Sequence, residues 1–227
     1  EGPADRVGRP FLFPGTVMIE FFTDFAPRYL PRLLQGVVVT LELCFTAMPL
    51  AIAVGLICAV AVQTKNRTAL WIVRAYVEIC RGVPLLVILY FTYFLLPPMG
   101  ITLPAFWAAV IALAFNYGAY LSEVFRASIE AVEAGQYQAG MALGMHRWVI
   151  YWKIILPQAM LIAIPTVGGY FIGLLKDCSL VSVVSVVELL GQGKRIVSEN
   201  FRSVETYLLI GIIYFIMSYA AAHVIRW

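Results

Sequence analysis

Arg74, Glu78 and Arg81 stand four and three residues apart, so on a helix they share one face. Two readings of that face are open. The three charges pair among themselves at a snorkelling helix end, or they place charge where Arg81-Gly82-Val83-Pro84 enters an apolar run. Charges in the second position are costly and face a cavity or a partner. Tyr170 and Asp177 are seven residues apart, again on one helical face, with Gly173 between them. An aspartate in an apolar setting is a natural acceptor for an ammonium group, and Tyr170 adds a hydroxyl without charge. The plainer reading is that Gly168, Gly169 and Gly173 only let helices approach, and that Asp177 pairs with Lys176. Asn116, beside Tyr117, interrupts a third apolar run, where an interhelical hydrogen bond is the commoner role. Asp177, Tyr170, Asn116, Glu78 and Arg81 are therefore the candidates for contact with a small polar ligand.

Other chemistries lack their residues. His146 and His223 are too isolated to suggest a metal. Cys44, Cys58, Cys80 and Cys178 lie in or beside apolar runs with no C-x-x-C pair, and they read as reduced, buried thiols. There is no G-x-x-x-x-G-K-[ST] phosphate loop, since Gly193-Lys194 lacks both the upstream Gly and a following Ser or Thr. Neither H-E-x-x-H nor G-x-S-x-G occurs, which argues against an intramembrane hydrolase. The chain is not expected to be an enzyme.

The elements that must position the candidates are membrane helices. Hydrophobic residues make up 62% of the chain and charged residues 13%, with a mean hydropathy of +0.87; soluble domains carry roughly 45–50% apolar and 25% charged residues. The net charge of +3 gives no nucleic-acid signal. Charge-poor windows predict about five spans: 33–62, 82–99, 100–122, 154–175 and 206–225. The first contains one charge, Glu42, and the second is preceded by an amphipathic piece over 69–81. The apolar run 179–187 is too short to cross and reads as a re-entrant or buried helix, while 191–205 is polar and is expected outside the bilayer core. Ahead of the first span, 1–14 is Gly/Pro-rich and charged, hence extended. Phe21, Phe22, Phe25 and Tyr29 beside Arg28 and Arg32 suggest a separate interfacial helix lying flat. The domain plan is thus an extracytoplasmic segment over 1–32 and a membrane domain over 33–226. Lys65, Arg67 and Arg74 in one loop and Arg126, Arg147 and Lys153 in another put those loops in the cytosol, with the N-terminus outside and the C-terminus inside. Lys176, Lys194, Arg195 and Arg202 on the outer side weigh against this. No internal repeat is visible, and a repeat is what an ion-coupled secondary transporter would be expected to carry.

The most specific feature is a polar-flanked island over 127–157. Gln138-Ala139-Gly140 is followed by three residues, Gly144, nine residues, Ile154, one residue and Leu156-Pro157. Residues 130–143 predict one helix, ended by Gly144 at positive φ, after which 145–156 resumes and Pro157 starts the next span; Trp148, Tyr151 and Trp152 anchor the chain at the interface. This spacing resembles the ATPase-docking loop of ATP-binding-cassette importer permeases, of the polar amino-acid group. There the pattern is Glu-Ala-Ala, three residues, Gly, nine residues, Ile, one residue, Leu-Pro. Ala139, Gly144, Ile154, Leu156 and Pro157 match; Gln138 and Gly140 replace the Glu and the second Ala. The resemblance extends to Tyr76-Val77-Glu78, to Arg81-Gly82-Val83-Pro84-Leu85-Leu86, and to Gly168-Gly169-Tyr170 with Lys176-Asp177-Cys178-Ser179-Leu180, where Cys178 replaces the usual Thr.

The resemblance implies an all-α, polytopic permease of the type I importer fold in the cell inner membrane. It would move amino acids, with Asp177, Tyr170, Asn116, Glu78 and Arg81 on the substrate pathway. Gln138, Ala139, Gly140, Leu143 and Gly144 would dock an ATPase dimer that supplies ATP and Mg, the chain itself holding no cofactor. A second permease, identical or homologous, and an extracytoplasmic amino-acid-binding protein would complete the assembly.

Overall fold

The computed structural model describes residues 20–64 and 66–225, and the expectations for 1–14, Lys65 and Arg226 fall outside them. Among the described residues eight helices follow one another, with one 3-10 turn over Pro97–Met99 between the third and the fourth: α1 (Phe21–Gln63), α2 (Arg67–Gly82), α3 (Leu85–Leu95), α4 (Ala105–Glu130), α5 (Ala134–Ala142), α6 (Arg147–Val184, its last turns 3-10), α7 (Leu189–Asn200) and α8 (Ser203–Ile225). Among the described residues four helices, α1, α4, α6 and α8, are long and apolar enough to cross a membrane. The remaining expected span is the shorter apolar α3. Its helix is cut at the front because Pro84 cannot continue α2, and Val83 before it is extended (φ −98°, ψ 131°).

Three further boundaries differ from the sequence reading. The aromatic segment 21–32 is no separate flat helix. It runs on without a break into the first span, making α1 43 residues, about 65 Å at ~1.5 Å per residue. Phe21 and Phe25 bury against the packed cluster of Leu33, Leu189, Ile196 and Leu209 instead of facing an interface. The island is two helices, because α4 continues to Glu130 and a turn separates it from α5. Finally, Pro157 does not start α6. The helix begins at Arg147, and a wide π turn over Tyr151–Ile155 precedes the proline. Leu156 N–H bonds back to the Tyr151 carbonyl, so the ladder has already stepped out of α register when the residue without an N–H arrives. The same order of π turn, one residue, proline occurs at Phe21–Phe25 before Pro27 and at Phe91–Leu95 before Pro97.

α4 is the central element and packs against α1, α2, α3 and α6. Lipid tails give no hydrophobic drive between helices, so the contact rests on small residues and close fit. Ala108, Ala109, Ala112, Ala114, Ala119 and Ser122 are buried along α4. A Cβ added at Gly55 of α1 would stand 2.9 Å from Leu121 Cβ, so only glycine permits this approach of α1 to α4. α7 is an amphipathic helix laid on α1 and α8, burying Leu189, Gly191, Gly193 and Ile196. It is held by polar contacts as well. Arg32 makes two bonds to Glu199, at 2.6 and 2.8 Å. Arg202 reaches Glu20 at 3.3 Å and Glu205 at 2.9 Å while lying over the Phe25 ring. Glu188, 0% exposed, caps α7 by accepting from Leu190 N and Gly191 N, both at 2.7 Å, and from Tyr214 Oη at 3.0 Å. Burial pushes this carboxyl up from its ordinary value, and the three bonds oppose the shift.

Candidate functional site

The break between α2 and α3 leaves backbone that no helix hides, and in a membrane protein such backbone must line a cavity or be buried in protein. Here it lines a cavity. A space of about 730 Å³ is walled by Arg81–Leu85 from the break, Asn116, Tyr117 and Tyr120 from α4, and Thr166, Gly169, Tyr170, Gly173 and Asp177 from α6. Four of the five candidate residues, Asp177, Tyr170, Asn116 and Arg81, meet there. Glu78 does not line it, and forms no ion pair with Arg74 or Arg81 among the described residues.

Each polar wall has a local cause. Arg81 is in the last turn of α2, where a cation suits the negative end of the helix dipole. Its guanidinium lies 5.4 Å from the centroid of the Tyr120 ring and has no carboxylate partner among the described residues. Asn116 reaches across to α2 and donates to the Cys80 carbonyl at 2.7 Å, satisfying an acceptor that the helix end leaves free. It is thus an interhelical tie at the cavity wall. Asp177, in the last turn of the α-helical part of α6, accepts from Tyr117 Oη at 2.8 Å and does not pair with Lys176. A carboxylate has acceptor sites to spare after one such bond, so it can still take an ammonium group. Tyr117, Tyr120 and Tyr170 stand between the two charges with ring centroids 5.8–6.4 Å apart.

The island presents a different surface. α5 ends with Gly144 at φ 73°, where Gly144 N bonds to Met141 O and Met145 N to Gly140 O, both at 3.0 Å. These two bonds form a Schellman cap, the reason a residue with positive φ is needed there. Gln138, Ala139 and Leu143 point away from the rest of the chain, Leu143 being 80% exposed. Gly140 does not join them. It is buried, and a Cβ added to it would lie 2.8 Å from Ile150 Cγ1, so the glycine lets α5 rest on the start of α6.

Comparison with known proteins decides the family. The family model described as "binding-protein-dependent transport system inner membrane component" matches residues 51–227. The chain belongs to this family. Among its relatives, the permease is 39% identical to the probable amino-acid permease protein YxeN of Bacillus subtilis, over 86% of this chain and 88% of that one. It is 36% identical to the probable amino-acid ABC transporter permease protein y4tG of Sinorhizobium fredii, over 89% of this chain and 87% of the other. A solved structure titled as an amino acid ABC transporter with histidines superposes with a TM-score of 0.82 at 36% identity, covering 88% of the permease and 93% of that chain. The permease is accordingly a multi-pass inner-membrane subunit of an ABC importer with the type I fold.

Sequence reasoning passed over Tyr120 and Thr166 as cavity residues and treated Tyr117 only as a neighbour of Asn116, whereas Gly169 and Gly173, read there as glycines for close helix approach, do line the cavity. Spacing held part of the signal. Tyr117 and Tyr120 are three apart and share a face of α4, and Thr166, Tyr170, Gly173 and Asp177 follow one another at intervals of four, three and four on α6. That the two faces look at each other is a tertiary fact which neither pattern contains.

Proposed function

We propose that this permease moves a neutral amino acid, or a broad range of them, through the cavity between α2, α4 and α6, driven by ATP hydrolysis in a partner subunit. The observation that carries the reading is the pair of charges without an ion-pair partner among the described residues, Arg81 from the α2–α3 break beside the Tyr120 ring and Asp177 from α6 bonded to Tyr117, in a cavity that Tyr170 also lines. An amino-acid zwitterion offers the complementary pair. Its carboxylate takes the fork of the Arg81 guanidinium, its ammonium takes Asp177, and its side chain lies among the rings. A cationic side chain would meet no second carboxylate and would add a like charge near Arg81, which a low-dielectric cavity penalises.

The exposed face of α5, with Gln138, Ala139 and Leu143 and the turn at Gly144, is the natural docking surface for the ATPase dimer, which would bring ATP and Mg. This chain needs no cofactor of its own. The family's description as binding-protein-dependent supports an extracytoplasmic binding protein as a further partner, and a second permease, identical or homologous, would complete the assembly. The island then faces the cytosol, with the N-terminus outside and the C-terminus inside, as the Lys and Arg of the loops require.

Uptake by the assembled complex in proteoliposomes tests the reading. Asp177→Asn and Arg81→Gln should each lower uptake of neutral amino acids by about tenfold or more, the worth of one charge-assisted bond, without preventing assembly. Tyr170→Glu should raise uptake of basic amino acids relative to neutral ones. If all three variants transport every substrate like wild type, the cavity is not the route.

A further inference from the structure

Where α1 and α4 end and α6 begins lies a second, separate groove of about 210 Å³, which shares no residue with the cavity above. Its walls include Val60 and Gln63 from the end of α1, and Arg147, Trp148, Trp152 and Ile155 from the start of α6. Both are ends of helices apolar and long enough to span a bilayer, so the groove lies at the boundary where lipid headgroups begin. Tyr151 Oη approaches Gln63 Oε1 at 3.5 Å and joins the two walls.

Three observations define what would fill it. Arg147 has no ion pair or hydrogen-bonding partner for its guanidinium among the described residues, and no acid lines the groove. Trp148 and Trp152 remain 50% and 60% exposed, in the depth range where indoles anchor between headgroup and acyl chain. The floor is apolar and continues into the spans through Val60, Ile155 and Leu156, a depth that a water-borne protein partner on the aqueous side does not reach. An unmatched cation above an apolar floor, flanked by indoles, fits a molecule with an anionic head and a hydrocarbon tail.

We propose that this groove is a specific site for an anionic phospholipid, its phosphate on Arg147 and one acyl chain along Val60, Ile155 and Leu156. A zwitterionic lipid fits less well, because its ammonium finds no carboxylate here. Lipid bound at this place would tie the end of α1 to the start of α6, directly behind α5.

The test uses the full importer complex. Phosphatidylglycerol or phosphatidylcholine is titrated in detergent and the bound lipid counted by native mass spectrometry. In parallel, tryptophan fluorescence is read in nanodiscs that carry brominated phosphatidylglycerol or brominated phosphatidylcholine. One phosphatidylglycerol per permease should be retained in preference to phosphatidylcholine, and its bromines should quench more strongly. Arg147→Gln should reduce that preference about tenfold, Arg147→Lys should keep part of it, and Arg74→Gln, away from the groove, should leave it intact. Should Arg147→Gln fail to assemble, the comparison of the two brominated lipids on wild type still decides. Equal retention and quenching by the two lipids would overturn the proposal. So would displacement of phosphatidylglycerol by millimolar inorganic phosphate, which marks a simple anion site, or the absence of any retained phosphatidylglycerol from the complex, which marks the groove as covered by the ATPase subunits.

Discussion

Gly144 allows the docking surface to be tested by backbone conformation alone. Nothing lies within 4 Å of a Cβ built on it, so within the chain a side chain there meets open space. What remains is its φ of 73°. An L-residue held in that region costs roughly 1–2 kcal/mol, asparagine less and a β-branched residue more. Against this stand the two cap bonds, Gly144 N to Met141 O and Met145 N to Gly140 O, each worth about 1 kcal/mol net. The balance favours the cap in Gly144→Asn and Gly144→Ala, and it reaches or passes zero in Gly144→Val. Substrate-stimulated ATP hydrolysis by the assembled complex should therefore fall in the order Gly, Asn, Ala, Val. The valine variant should lose most of its stimulation while still inserting in the membrane. Two results would refute the reasoning. Wild-type stimulation in Gly144→Val would remove the island from coupling. Asparagine doing worse than alanine would show that side-chain bulk against the ATPase decides, and not φ.

The four cysteines should stay reduced. Cys44 and Cys178 are buried with their sulfurs 3.4 Å apart; replacing all four by Ser or Ala should cost expression but not uptake, and a reducing agent should leave wild-type uptake unchanged. Gly140→Ala should destabilise the island by about 1–3 kcal/mol through overpacking. Ile150→Val, which removes the Cδ1 that the new methyl would meet at 2.9 Å, should rescue part of the loss in thermal melts of the detergent-solubilised chain. The bond from Arg32 holds the exposed Glu199 carboxyl below its ordinary value. A depressed folded pKa contributes stability above the unfolded value and loses it as pH falls through the folded one. Wild type should thus melt slightly above Glu199→Gln at neutral pH, and the gap should close well below about pH 4; a gap that persists there would refute the assignment.

Much of this molecule was legible before its structure. Charge-poor windows located the apolar helices, and the island spacing located the Gly144 turn, because both are local properties of the chain. The boundaries that moved did so for reasons beyond local pattern. Pro157 reads as a helix start, yet a π turn ahead of it absorbs the missing N–H and the helix passes through. Phe21 and Phe25 look interfacial until α7 and α8 arrive to cover them. Gly140 reads as one of the residues that would dock the ATPase, whereas its lack of a side chain serves the contact with Ile150 inside. In the cavity, Asp177, Tyr170, Asn116 and Arg81 could each be singled out as polar residues in apolar runs. Their convergence depends on how α2, α4 and α6 are arranged, as does the exclusion of Glu78, which shares Arg81's helix but not its wall.

The wide turn at Tyr151–Ile155 has a consequence for how movement passes along α6. One residue of an α-helix corresponds to about 100° of rotation, and a π turn amounts to one residue inserted into that spiral. The angular phase between Ile150, on which α5 rests, and Tyr170 and Asp177, where the cavity lies, is therefore set by this single extra residue. If the turn relaxed to α geometry, the island would swing around the helix axis relative to the cavity with little change in height. α6 is thus built less like a push-rod than like a shaft with one adjustable coupling, and the same sequence device, a wide turn one residue ahead of a proline, is set into α1 and α3.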